Sequence, residues 1–406
     1  MGKLAITGGK PVRAKPQERV KWPQHDQAEC EALARVANSG RWQQGPEVAE
    51  FEEMFAAYQH AKHAICANNG TVTMEIALRA FGVGAGDEVI IPPLTFCATG
   101  LCALMVGAIP VFADVERHNS NLCPKAFEAS ITDRTRAVIP IHYGGTPADM
   151  DGIMEVARKH DIRVIEDAAH AHGAEWKGTR VGAIGDIGSF SFQSEKMMVS
   201  GDGGIMTTND DDFAALCKSL RTFGYGYPEP LMTSNWRLSE FQAAVLKVQF
   251  TRIDDQIEYR MKNAQIFLDR IEEFDGGITY QMDERVTRLN GYNIPLQYNA
   301  PKFKGLPRTK FLEALQAEGY TMHTGYTVPL YKGRLYQEKA FGASWAGDKH
   351  GRKIDYTKVC CPVAEKLADE EMLTIGHECN LMGSAEDMNG LVDAIVKIQQ
   401  NVDEIV

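Results

Sequence analysis

Apolar positions along this chain recur with two periods, and their alternation sketches most of the architecture. Short runs rich in β-branched residues, at 88–91, 110–115, 137–142, 163–166 and 204–208, predict strands. Between them, the segments 71–81, 150–160 and 211–221 place apolar residues near i, i+3 and i+4, as amphipathic helices require. Strand and helix in succession imply βαβ units around a largely parallel sheet with helices on both faces, an α/β fold. The stretch from Val89 to Ala113 carries no charge, but Pro92, Pro93, Gly100, Gly107 and Pro110 interrupt it. A membrane-spanning helix needs about 20 continuous apolar residues, so strand, loop, buried helix and strand are expected there.

Past residue 238 the pattern changes. No Gly or Pro interrupts a helical spacing as far as 274, which predicts one long or slightly broken helix ending at Asp275-Gly276-Gly277. Strand-like runs follow at 278–281, 293–298 and 373–379, with a helix at 307–318 and a final helix that Ser384 is placed to cap. The expected division is 1–274, an N-terminal arm and large α/β domain with a long connecting helix, and 275–406, a smaller C-terminal α+β domain. There is no internal repeat.

Composition narrows the class. The 406 residues are 44% hydrophobic and 24% charged, an ordinary globular balance that excludes collagen-like, coiled-coil and disordered chains. With 43 Lys+Arg against 54 Asp+Glu the net charge is −11, which repels phosphodiester backbones, so no nucleic-acid partner is expected. Nine cysteines without a C-x-x-C pair are expected to be reduced thiols in a cytoplasmic protein. The first residues hold no apolar run suited to a signal peptide, and no membrane association is expected.

Three segments could carry chemistry. In 164–174, Val-Ile-Glu-Asp-Ala-Ala-His-Ala-His-Gly-Ala, an apolar strand ends in an acid pair, and ligands of open α/β sheets lie outside the carboxyl ends of strands. Asp167 either points into a site or caps the turn that follows. His170 and His172 lack a third ligand, and no metal is expected. Lys196 follows a strand-like run in an apolar, glycine-rich setting, where desolvation would make its amine a nucleophile for a Schiff base; the alternative is an exposed loop lysine. In 67–73, Ala-Asn-Asn-Gly-Thr-Val-Thr opens a helix and offers N–H groups and a hydroxyl to an anion, or is a plain N-cap. The glycines at 82–86 precede a strand and do not match a dinucleotide fingerprint.

Taken in order, these segments resemble the fold-type I pyridoxal phosphate aminotransferases of the DegT/DnrJ/StrS family, which aminate keto-sugars and cyclitols. The resemblance is carried by NNGTVTMEIAL (68–78), GVGAGDEVIIPPLTFCATG (82–100), GAIPVFADV (107–115), PADMDGI (147–153), IEDAAHAHGA (165–174), GDIGSFSFQSEK (185–196) and SNWRLSEFQAAVL (234–246). It implies a large domain with a mixed, mostly parallel sheet and pyridoxal 5′-phosphate as cofactor. Lys196 would hold the cofactor and shuttle the proton, and Asp167 would pair with the pyridine nitrogen. His170 would sit near the ring hydroxyl and Phe96 stack on the ring. Gly70, Thr71 and Ser191 would hold the phosphate, with Asn235 reaching it from the other subunit of a homodimer with shared active sites.

Two positions depart from the commonest family pattern, Met197 after the lysine and Asp202 before Gly203-Gly204. The stretches 22–26, 189–193 and 234–242 look closest to aminotransferases of inosose-type cyclitols and to aminohydroxybenzoate synthases. The expected activity is transfer of nitrogen from glutamine or glutamate to a keto-cyclitol or keto-sugar, in amino-sugar or antibiotic biosynthesis. A lyase resembling aminohydroxybenzoate synthase and a cofactor-binding regulator are the alternatives. Because no dense Lys/Arg run lies near the site segments, a free ring ketone is favoured over a nucleotide-linked one. Arg237 is a candidate for the donor carboxylate, and His323, Tyr326 and Tyr331 for acceptor contacts.

Overall fold

The structure is a computed structural model that describes residues 2–15, 20–228, 231–342, 345, 347–376 and 380–406. Its main sheet contains β1 (His63–Ala67), β2 (Glu88–Ile91), β3 (Ile109–Phe112), β4 (Thr135–Val138), β5 (Arg163–Asp167), β6 (Ile187–Ser191) and β7 (Gly204–Thr208), in the order β1-β7-β6-β5-β4-β2-β3. Strand β7 runs antiparallel to both neighbours, and every other pairing is parallel. The strands are buried on both faces, so they read as continuous apolar runs. Successive residues still alternate between two cores: Cys66, Ile90 and Val164 enter one, Ile65, Val89, Ile91 and Ile165 the other.

Helices α1 (Gln27–Ser39), α2 (Pro46–Tyr58), α3 (Gly70–Ala80), α4 (Cys97–Met105), α5 (Pro124–Ala129), α6 (Met150–His160) and α7 (Asp211–Leu220) cover the sheet. The long or slightly broken helix expected over 238–274 is broken once, into α8 (Glu240–Phe250) and α9 (Ile253–Asp269), and ends in a 3-10 turn at Ile271–Phe274. The joint has a physical cause outside the segment. Arg252 is drawn onto Glu29 (2.5 Å) and Asp26 (2.8 Å) at the start of α1, while Asp254 and Asp255 begin a new first turn.

Beyond it, β8 (Ile278–Thr279), β9 (Asn293–Tyr298) and β10 (Met372–Gly376) form a small antiparallel sheet in that order. The end of the strand expected at 373–379 lies outside the described residues, as does Cys379. Helix α10 (Arg308–Ala317) and the C-terminal helix (Ala385–Gln400) pack nearby, the latter opened by a capping box between Ser384 and Asp387.

Two segments cross the division expected at 274/275. Residues 4–13 lie on the C-terminal elements: Ala5 and Val12 donate their N–H groups to Glu318 (both 2.9 Å), whose carboxylate also takes the Lys397 amine at 2.8 Å. Conversely, Tyr331, Tyr336, Tyr356 and Cys361 return to the large core, the three tyrosine rings clustering on Phe112. No helix among the described residues is long and apolar enough to cross a membrane.

Candidate active site

Strands β1, β2, β5 and β6 point the same way, and the loops leaving their carboxyl ends carry Gly70, Phe96, Asp167 and Lys196. Each position follows from strand register. Asp167 is the last residue of β5, and opposite it on β6 stands Ser189, two residues before Ser191 and seven before Lys196.

The acid pair at the end of β5 splits. Glu166 turns into the protein, accepting backbone N–H bonds from Gly182, Ile184 and Gly185 (2.7–2.8 Å) and a bond from His142 Nε2 at 3.0 Å. Since His142 Nδ1 accepts from the Ala148 N–H, Nε2 carries the proton. Burial works to raise the Glu166 pKa, but His142 and the backbone donors hold it below the usual carboxylate range. Glu166 thus anchors the 182–185 turn.

Asp167 faces the other way. Its Oδ2 accepts from the Thr99 hydroxyl at 2.8 Å, and Thr99 and Thr95 share a hydroxyl bond of 2.8 Å. Its Oδ1 accepts a longer bond, 3.3 Å, from the Ala169 N–H, so both alternatives meet in one side chain. Burial raises its pKa against Thr99, the Ala169 N–H and the field of Lys196. Thr99 has no sequence signal beyond lying four residues after Thr95, on one face of the turn that opens α4.

Lys196 sits in a turn closed by its own N–H on Gln193 O (2.9 Å), with Nζ 5.4 Å from the centroid of the Tyr292 ring. Burial lowers its pKa to about 8, opposed by Asp167 and Glu195. Tyr292 in turn stacks on the His170 ring at 4.5 Å and 22°. Asn290 Nδ2 secures the same loop by donating to the carbonyls of His170 (2.7 Å) and His172 (3.2 Å). These partners come from the segment before β9, more than 90 residues downstream of Lys196, which is why sequence order does not reveal them.

At the other end of the site, Asn69 caps α3 through Val72 N–H (2.9 Å), and helix geometry leaves the first N–H groups without intrahelical partners. A Cβ on Gly70 would lie 2.8 Å from the Ser191 Cβ, so only glycine lets this turn meet β6 so closely. Thr73 and Ser189 share a hydroxyl bond of 2.6 Å beneath them. Gly70 and Ser191 are thereby brought together at the start of α3, where free N–H groups favour an anion. Phe96 is 58% exposed at the N-terminus of α4, an aromatic face held beside the Thr95–Thr99–Asp167 chain.

Other candidates lie elsewhere. His172 is enclosed by Phe55, Phe190 and Phe192, and burial lowers its pKa to about 3. Tyr331 belongs to the large core, its hydroxyl on Glu365, while Tyr326 is half-buried and packs on Tyr143. Arg237 covers the Phe223 ring at 5.3 Å. Asn235 is exposed, in a segment whose next residue, Trp236, accepts through its carbonyl from Asn68 N–H at 2.9 Å.

Residues 23–379 match the family model described as the DegT/DnrJ/EryC1/StrS aminotransferase family. The chain belongs to that family. Among relatives of this aminotransferase, an L-glutamine:2-deoxy-scyllo-inosose aminotransferase of Streptoalloteichus tenebrarius is 37% identical over 425 residues, covering 99% of each chain. A protein of Micromonospora echinospora named as a putative L-glutamine:3-amino-2,3-dideoxy-scyllo-inosose aminotransferase is also 37% identical, over 98% of each. The crystal structure of 3-amino-5-hydroxybenzoic acid synthase superposes with a TM-score of 0.82 at 31% identity, over 94% of the aminotransferase and 99% of that chain.

Proposed function

We propose that this aminotransferase moves the amino group of glutamine to a keto-cyclitol, using pyridoxal 5′-phosphate held between Lys196 and Asp167. The observation that carries the proposal is the buried amine–carboxylate arrangement at the carboxyl ends of β5 and β6, with the start of α3 at Gly70 and Thr71 packed against Ser191 beside it. The donor set fits the cofactor's three parts: N–H and hydroxyl groups for a phosphate, a buried carboxylate for a protonated ring nitrogen, and an exposed aromatic face for the ring. When bound, the cofactor supplies the carbonyl that takes up and passes on nitrogen and the sink for electrons released at Cα.

The chain's own residues do the rest. Asp167, oriented by Thr99, holds a positive charge opposite it in a buried setting, where the interaction is strongest. Lys196, its amine partly neutral near pH 7, accepts and returns a proton at Nζ. Tyr292 shields that amine on one side, and Phe96 offers a cover for the cofactor ring. The enzyme works as a cytoplasmic homodimer, in which Asn235 of each chain completes the phosphate site of the other. Support for the donor and the acceptor comes from the names of the relatives.

Glutamine added to the cofactor-loaded enzyme should abolish the pyridoxal-form absorbance, and scyllo-inosose should restore it. Failure of glutamine and glutamate alike to change the spectrum would refute amino transfer.

A further inference from the structure

A cleft of about 410 Å³ opens beside Lys196, between the large unit and the small sheet, with Glu195, Tyr292, Asn293, His323, Thr324 and Thr374 in its wall. Its chemistry is one-sided. Amide, hydroxyl and imidazole groups suit a ring bearing several hydroxyls. No Lys or Arg is among its described lining residues, and the acidic group it presents is the exposed carboxylate of Glu195. Four basic side chains near the site segments are engaged elsewhere. Lys177 pairs with Asp151 (2.6 Å), Arg180 with Glu175 (2.9 Å), Arg221 with Glu52, and Arg237 covers Phe223.

We infer that Glu195 is a specificity-determining residue that selects the acceptor by charge, so that the cleft takes an unphosphorylated polyhydroxylated ketone and rejects phosphate esters and nucleotide-linked sugars. The inference rests on the aminotransferase function proposed above and deepens it. A phosphate group entering the cleft meets the Glu195 carboxylate, and the described lining residues include no Lys or Arg to offset it. Two like charges at close range repel even in water, which disfavours the ester and leaves the neutral ketone unaffected. Neutral polyols incur no such cost and hydrogen-bond to the same carboxylate.

The test compares kcat/KM for scyllo-inosose and for its phosphate monoester, with glutamine as donor, in the wild-type enzyme, E195Q and E195K. E195Q keeps the shape and removes the charge; E195K reverses it. The wild type should prefer the neutral ketone by at least about tenfold, and the ratio should fall about tenfold in E195Q and further in E195K. A wild-type ratio near one, or a ratio unchanged in both variants, overturns the inference. The spectral change of the wild type with glutamine alone reports on amino transfer independently, so loss of selectivity and loss of the underlying activity are told apart.

Discussion

Protonation of Lys196 would disable the amine that the proposed function brings to the cofactor carbonyl, and the burial of the side chain sets how far. With a pKa of about 8, roughly a tenth of the chains carry a neutral amine at pH 7 and roughly a hundredth at pH 6. A lysine at the ordinary 10.5 is neutral in only about 0.03% of chains at pH 7, several hundredfold fewer. The rate at which apoprotein takes up pyridoxal phosphate, followed by absorbance, should therefore rise with pH and flatten near 8. Asp167 and Glu195 pull the pKa upward, so Asp167→Asn should move the break to lower pH.

The same shift makes a stability statement of definite sign. Between pH 8 and 10.5 the unfolded chain binds a proton at this site and the folded chain does not, so stability rises with pH by about 3 kcal/mol across the window. Denaturation of wild type and Lys196→Met in parallel should show that difference growing in favour of the wild type. A rate still climbing steeply from pH 8 to 9.5, or a stability difference independent of pH, would refute the assignment of a desolvated amine.

Asp167→Asn should fold normally yet lose on the order of a hundredfold in kcat, measured with glutamine and scyllo-inosose, because a neutral amide cannot hold a buried positive charge. If the carboxylate served only as a turn cap, turnover per folded molecule would persist. Mixing inactive Lys196→Ala chains with Asn235→Ala chains should produce hybrid dimers with one intact site, regaining activity that neither parent has. Glu318→Ala should cost about 3–5 kcal/mol in chemical denaturation, since it strands the Lys397 amine, itself only 4% exposed. Gly70→Ala should weaken cofactor binding more than folding, read by titration of apoprotein, because the added Cβ lands on Ser191.

The strands, the helices and most of the site loops were legible because burial on both sheet faces leaves apolar runs and because helix caps have local signatures. The helix Met150–His160 and the strand Asn293–Tyr298 keep the bounds that periodicity gives them. Strand direction leaves no such trace, and β7 looks the same whether parallel or antiparallel. The place of the break between α8 and α9 has no local signature, because it depends on Arg252 meeting α1, more than 200 residues away. Position in the acid pair was a similar case. Alternation sends Glu166 and Asp167 to opposite sides, but only the 182–185 turn decides which one is structural. Tyr292, Asn290 and Thr99 escaped notice because their roles exist only in contacts between distant segments.

The carboxylate of Glu318 also bears on how the protein is made. It gathers N–H groups from Ala5 and Val12 and the amine of Lys397, which follows them by more than 380 residues. Vectorial synthesis therefore cannot close the small unit piecemeal. Until Lys397 emerges, the nascent chain holds an acid whose partner is missing, and the helix Ala385–Gln400 acts as the latch that joins segments distant in sequence.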